Sequence, residues 1–237
     1  MPGYHTKQER IAVAGCADLL IHSLLDRQQF ADPLGEAAGL GISDAQWSLF
    51  GQAWPSSALL AARLALRPVA AAERILEVGC GLALASLVGH RRGADVTASD
   101  NHPLAGAFLA ENLRLNDLAP MKYRHGDWGE PAGKPTRRIV RGRFDLIIGS
   151  DVLYDRDASR ELAAFIGRHA EAAAEVWIVD PERGNRPAFN RSMSALGFER
   201  SERRLDHAAT PLRAAYKGRL LEFSRLAPGR ARETARS

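Results

Sequence analysis

Cysteine is almost missing from this chain. Cys16 and Cys80 are the only two among 237 residues, and most of the N-terminal third separates them. That count and spacing exclude a disulfide framework and a thiolate metal cluster. The histidines are scattered without a pair at ligand spacing, so no metal is expected. Long hydrophobic runs are absent too: no window approaches the roughly 20 apolar residues that span a bilayer. The opening MPGYHTKQER is polar and unlike a signal segment. A soluble, cytoplasmic protein with no membrane partner is expected. Aromatics are sparse and none is interleaved with the two arginine runs (Arg137, Arg138, Arg141 and Arg143; Arg230, Arg232 and Arg236). The net charge of +4 therefore reads as solvated arginines, and a nucleic-acid partner is not favoured.

What remains is an ordinary globular composition, 46% hydrophobic and 25% charged, in a chain long enough for one large domain with an extension. Its organising stretch is ERILEVGCGLALASLVGH, from Glu73 to His90. Ile75, Leu76 and Val78 make a short strand, Gly79 and Gly81 punctuate it around Cys80, and Leu82 to Val88 returns at helical spacing. Glycine in such a corner permits a positive φ or the close approach of a ligand to the backbone. A dinucleotide fold wants G-x-G-x-x-G with an acidic residue about 20 positions on. Here Leu84 stands at the third glycine position and a carboxylate, Glu77, ends the strand, which weakens that reading.

Along the chain, residues 8 to 30 suit one or two amphipathic helices, with Ile11, Val13, Leu19, Leu20, Leu24, Leu25 and Phe30 as apolar positions. Asp32-Pro33-Leu34-Gly35 ends them. Ser43 and Gln46 have the form of a capping box, and Trp54-Pro55-Ser56 opens a helix through Leu66. Further strands follow over Asp95 to Asp100, Met121 to His125, Phe144 to Ser150 and Glu175 to Val179. Helices lie between them over 103–116 and 157–172, and 187–196 makes a last one. Residues 129 to 142 form a loop, and Phe198 to Asp206 with Arg219 to Leu226 alternate as a terminal antiparallel pair. This order specifies an α/β fold: a three-layer doubly wound sheet of seven strands, mostly parallel with an antiparallel C-terminal strand, plus N-terminal helices. The expected organisation is an N-terminal helical extension over 1–66, a ligand-binding domain over 67–226 and a disordered tail over 227–237.

In such a sheet ligands bind beyond the carboxyl ends of the strands, where strand order reverses. Glu77 to Gly81, Asp100 with Asn101, Asp127 with Trp128, and Ser150 with Asp151 stand at four such ends. Each has a structural alternative: strand-end aspartates cap helices, Trp128 could be core, and Tyr154 a packed aromatic.

The order Glu77-x-Gly79-x-Gly81 resembles the first motif of the seven-stranded S-adenosylmethionine-dependent methyltransferases, although that family often has glycine where this chain has Ala83. Within it the chain resembles the protein-lysine methyltransferase group, in Trp54-Pro55-Ser56 before the first strand, Trp128 after the third and Asp151 to Tyr154 (D-x-x-Y) after the fourth. The resemblance implies S-adenosyl-L-methionine as cofactor and S-adenosyl-L-homocysteine as product. It assigns cofactor contacts to Trp54, Gly79, Gly81, Asp100, Trp128 and Ser150, and to Glu77 a contact made through neighbouring groups or water; Cys80, Asn101 and Asp127 are expected to bind the cofactor beside them. Asp151 and Tyr154 are implied to face the acceptor as catalytic residues. A protein presenting a lysine is the implied partner. A small amine or heterocycle acceptor stays open, as does a non-catalytic cofactor-binding partner protein. The sequence does not determine the acceptor, the number of methyl groups, the oligomeric state or the role of the Asp180–Asn185 loop.

Overall fold

Runs that are apolar on both faces form the centre of the sheet, as burial between two helical layers requires. The structure is a computed structural model and describes residues 4–26, 32, 35–39, 42, 47, 49–129, 139–210 and 214–227. The capping box at Ser43 and Gln46, Arg137 and Arg138, Phe30 and the tail beyond residue 227 lie outside the described residues. In order, the elements are β1 (Thr6–Ile11), β2 (Leu19–Leu24), α1 (Glu36–Gly39), α2 (Pro55–Ala65), β3 (Arg74–Val78), α3 (Leu84–Arg91), β4 (Asp95–Asp100), α4 (Ala105–Leu115), β5 (Lys122–His125), β6 (Phe144–Ser150), α5 (Arg156–His169), β7 (Ala170–Asp180), α6 (Arg186–Ala195), β8 (Glu199–Arg204) and β9 (Arg219–Arg225).

Seven strands form one sheet in the order β5-β4-β3-β6-β7-β9-β8, and β9 is antiparallel to both of its neighbours. The remaining pairings among β3 to β7 are parallel. Strand order reverses between β3 and β6, which opens a crevice at their carboxyl ends.

Side-chain alternation sorts the strands into two cores. Ile75, Leu146, Ile148, Trp177 and Val179 pack with Leu60, Leu64, Leu87 and Phe108 from α2, α3 and α4 on one face. Leu76, Val78, Ile147, Val176 and Ile178 pack with Leu162, Ile166, Phe189 and Met193 from α5 and α6 on the other. Each buried Leu, Ile or Phe stabilises the fold by about 1.5–3 kcal/mol. The edge strand β8, ERSERR, is exposed throughout, and its charges discourage pairing with another chain. No helix among the described residues is long and apolar enough to cross a membrane.

Two expectations are corrected. The segment read as N-terminal helices over residues 8 to 30 is, in its described part, the antiparallel hairpin of β1 and β2. Gly15, at φ +85°, turns the chain, and β2 buries Leu19, Ile21 and Ser23 on alternate positions, the period of a strand. Its free edge is completed from far along the chain. Asn112 Oδ1 accepts from the His22 N–H at 2.7 Å, and Asn116 Oδ1 accepts from the Leu20 N–H at 2.9 Å. Asn116 Nδ2 in turn donates to the Leu20 carbonyl at 2.8 Å. Two side chains of α4 thus stand where a third strand would be. The second correction concerns residues 170–172, the end of the helix expected over 157–172. The helix ends at His169, and Ala170 already pairs with Phe144 of β6. Arg225 donates to the carbonyls of Glu171 and Ala172, so tertiary contacts override helix propensity.

Replacing Asn112 by Ala removes the acceptor of a part-buried strand amide, which costs about 1–3 kcal/mol. Denaturant unfolding of Asn112→Ala should show that loss, and hydrogen exchange should show the His22 amide losing protection while amides of β3 and β6 keep theirs.

Candidate functional site

The corner after β3 is held by two carboxylates. Gly79 and Gly81 are left-handed at φ +56° and +53°, and Ala83 follows at φ +62°, a conformation that suits glycine better. At Gly79 a Cβ would lie 2.8 Å from Val152 Cγ1, so the close approach alone demands glycine; at Gly81 a Cβ would project into open space. The Cys80 N–H donates to the Ser99 carbonyl at 2.9 Å, and the Gly81 N–H donates to Asp100 Oδ2 at 2.8 Å. Asp100 Oδ1 accepts from the His102 N–H at 2.8 Å. Only 8% exposed, Asp100 has its pKa raised by burial, against the lowering effect of these amides.

Glu77 is placed differently. It shares strand parity with Ile75, and its side chain, 1% exposed, runs beneath α3. Its Oε2 accepts from the Ser86 N–H at 2.8 Å and from the Ser86 hydroxyl, which satisfies an amide of the first helical turn. Burial pushes its pKa up to about 7, opposed by the Ser86 bonds and aided by the nearby Asp100.

Beyond the strand ends lies a cleft of about 1100 Å³ including its open mouth. Gly79, Cys80, Gly81, Asp100, Asn101, Asp127, Trp128, Ser150, Asp151, Tyr154 and Trp54 all line it; of the residues singled out in the sequence, Glu77 alone does not. Asp127 Oδ1 accepts from the Gly129 N–H at 3.0 Å. The Trp128 and Tyr154 rings lie 6.4 Å apart, and burial raises the Tyr154 hydroxyl to about 12, so it stays protonated. Trp54 donates from its indole to the Leu49 carbonyl at 2.9 Å. Asp151 is left-handed at φ +59°, donates its N–H to the Val179 carbonyl at 2.9 Å and accepts from Arg183 Nε.

Several lining residues were not singled out beforehand. His102 stacks on Phe50 at 3.9 Å and 6°, with Trp47 at 4.4 Å. Burial lowers its pKa to about 3, so this 4% exposed ring is neutral. Its position two residues after Asp100 was the available signal. Glu161 reaches the cleft from α5 and carries no sequence signal of its own. Arg183 lies in the Asp180–Asn185 loop, whose role the sequence left open.

The arrangement decides between ligand classes. A dinucleotide needs free amides at the glycine turn and helix N-terminus for its pyrophosphate. Here the carboxylates of Asp100 and Glu77 occupy the Gly81 and Ser86 amides and would repel phosphate. Among the described residues the lining carries four carboxylates, Asp100, Asp127, Asp151 and Glu161, against one guanidinium, Arg183. That charge balance suits a cationic ligand with hydroxyls to donate. Among the described residues no group of three or more His, Cys, Asp or Glu side chains could hold a metal ion.

A family model described as lysine methyltransferase matches residues 44–192. The chain is 28% identical over 151 residues to the electron transfer flavoprotein beta subunit lysine methyltransferase of Mus musculus, covering 62% of this chain and 54% of that protein. It is 29% identical over 164 residues to the magnesium-protoporphyrin O-methyltransferase of Rhodobacter capsulatus, covering 66% and 67%. Among solved structures it resembles a 16S rRNA N2 G1207 methyltransferase of T. thermophilus, with TM-score 0.58, 16% identity and coverage of 94% and 51%. That last likeness shows the fold alone. The chain thus spans about half the length of the mouse protein.

Glu77 supplies a pH test of this corner. A carboxyl whose folded pKa lies above its unfolded value binds its proton more tightly when folded. Its stabilisation is therefore full below about pH 4.5 and lost as pH rises to about 7. Glu77→Gln keeps an acceptor oxygen for Ser86 and cannot ionise. Relative to that variant, the wild-type unfolding free energy should fall by up to about 3 kcal/mol across this window in denaturant titrations.

Proposed function

The chain belongs to the lysine methyltransferase family, and on that premise we propose that it is an S-adenosylmethionine-dependent N-methyltransferase acting on a lysine side chain of a protein. The observation that carries this reading is the acidic cleft at the switch point, with the Gly81 amide of its glycine turn already taken by the Asp100 carboxylate. We place the protein in the cytoplasm, where its two free thiols, Cys16 and Cys80, would stay reduced.

The residues fit the cofactor. The carboxylate of Asp100 keeps lone pairs for ribose hydroxyls beyond its two amide bonds. Asp127 and Trp128 would offer an acceptor and a flat apolar wall to the base, Gly79 to Gly81 room for the amino-acid portion, and Trp54, Asn101 and Ser150 further contacts. Glu77 would act from beneath, by fixing the turn. When bound, S-adenosylmethionine supplies a methyl group on a sulfonium, an electrophile that needs only an aligned lone pair.

The rest falls to the chain. A lysine has a pKa of about 10.4, so exposing its lone pair at pH 7 costs roughly 4–5 kcal/mol before any tuning. Asp151, at the end of β6, would orient the acceptor nitrogen through its N–H groups and pass the released proton toward water. Tyr154, protonated and half-buried, would wall the acceptor channel against bulk solvent.

Tritiated methyl transfer from S-adenosylmethionine to a cell lysate tests the proposal: label on protein lysine supports it, and label confined to small molecules or absent overturns it. Asp100→Ala should weaken S-adenosylhomocysteine binding about 10- to 100-fold by calorimetry, as the loss of charge-assisted bonds implies. Asp151→Asn tolerates the left-handed backbone and should bind nearly as the wild type does, with transfer down about 100-fold.

A further inference from the structure

The loop between β7 and α6 delivers a guanidinium to the carboxylate at the acceptor end. Arg183 donates from Nε to Asp151 Oδ1, and its guanidinium stands 5.6 Å from the centre of the Trp54 ring. The loop is clamped. Glu182 accepts from Arg219 Nε of β9 at 3.1 Å and lies 3.8 Å from Arg204 of β8 and 3.9 Å from Arg186 of α6. On the opposite side Asn185 Nδ2 donates to the Leu153 carbonyl at 3.0 Å. Glu182 and Gly184 are both left-handed, at φ +61° and +88°, and flank the arginine that turns into the cleft.

The charges around this pair come from every side. Asp180 at the end of β7 and Tyr216 from the β8–β9 connection act on Arg183 electrostatically, and Tyr216 is bonded to Ser56 of α2 at 2.9 Å. Elsewhere the cleft presents Tyr154, Glu161, Asp127, Asp100 and the neutral His102. A lone carboxylate beside an acceptor amine would stabilise the ammonium, which has no lone pair to offer. A carboxylate already paired with a fixed guanidinium can still accept an N–H without favouring the cation so strongly.

We propose that Arg183 is a positioning residue: it fixes the Asp151 carboxylate, and as the one guanidinium lining the cleft among the described residues it favours the acceptor nitrogen as an uncharged amine. This rests on the reading of the site as a lysine methyltransferase. Its sign is testable, because removing the positive charge lets the ammonium persist to higher pH.

The experiment follows initial rates of tritiated methyl transfer to the lysate protein labelled by the wild-type enzyme, from about pH 6.5 to about pH 10, the range that brackets a tuned lysine. Wild type, Arg183→Gln and Arg183→Lys are compared, with S-adenosylhomocysteine affinity measured alongside by calorimetry. For Arg183→Gln the pH of half-maximal rate should rise by about one unit, the effect of one nearby charge in a half-buried site. Arg183→Lys should keep the wild-type midpoint, and both variants should bind S-adenosylhomocysteine within about twofold of wild type. A Gln variant that is slower at every pH with an unmoved midpoint overturns the proposal and leaves Arg183 a loop anchor. A wild-type enzyme that labels no protein overturns the functional reading, and this inference with it.

Discussion

The buried bond from Glu77 to Ser86 is the constraint on which the site rests. A carboxylate with almost no solvent access is costly unless it is hydrogen-bonded, and the first turn of α3 supplies both an amide and a hydroxyl. The bond ties the end of β3 to the start of the next helix across a corner with left-handed residues at alternate positions, Gly79, Gly81 and Ala83. Those conformations are individually unfavourable or glycine-dependent, and they persist because both flanks are fixed. With the corner fixed, Gly81 meets Asp100, and Asp100 meets His102. The two neighbouring strand ends thereby become one surface.

That surface has a sign. Where a phosphate-binding corner leaves amides free to receive an anion, this one commits those of Gly81 and Ser86 to carboxylates, and the outward field is that of the acids lining the cleft. The same glycine turn therefore serves opposite charges according to whether a strand-end acid is present. Hydroxyls and cations gain from Asp100, Asp127 and Glu161, and anions are repelled.

Much of this was legible in the sequence where the physics is local. The strands over Asp95–Asp100 and Phe144–Ser150 begin and end where their patterns say, because burial on both faces leaves little freedom in register. The strand ends then bring their acidic and aromatic residues into one cleft by topology alone. The rest depends on partners remote in sequence. The hairpin of β1 and β2 is secured by Asn112 and Asn116, and no window around Leu20 contains that information. Arg183 gains its role from Asp151 in the same way. Glu77 shows the same limit: its place at a strand end was clear, but its bond to Ser86, nine residues on in the next helix, was not.

The two ends of the cleft are secured by different parts of the chain, which on the proposed reading would separate cofactor recognition from acceptor choice. The first end is built from the corners after β3, β4 and β5, all inside the stretch that matches the family. The second depends on the loop after β7, and that loop is anchored through Glu182 to arginines of β8 and β9, which lie beyond that stretch. A change in the terminal strand pair could re-aim Arg183, and with it Asp151, without touching a single residue of the glycine corner. The glycine corner and the Arg183–Asp151 pair are therefore open to change independently, one through the matched stretch and the other through the strand pair beyond it.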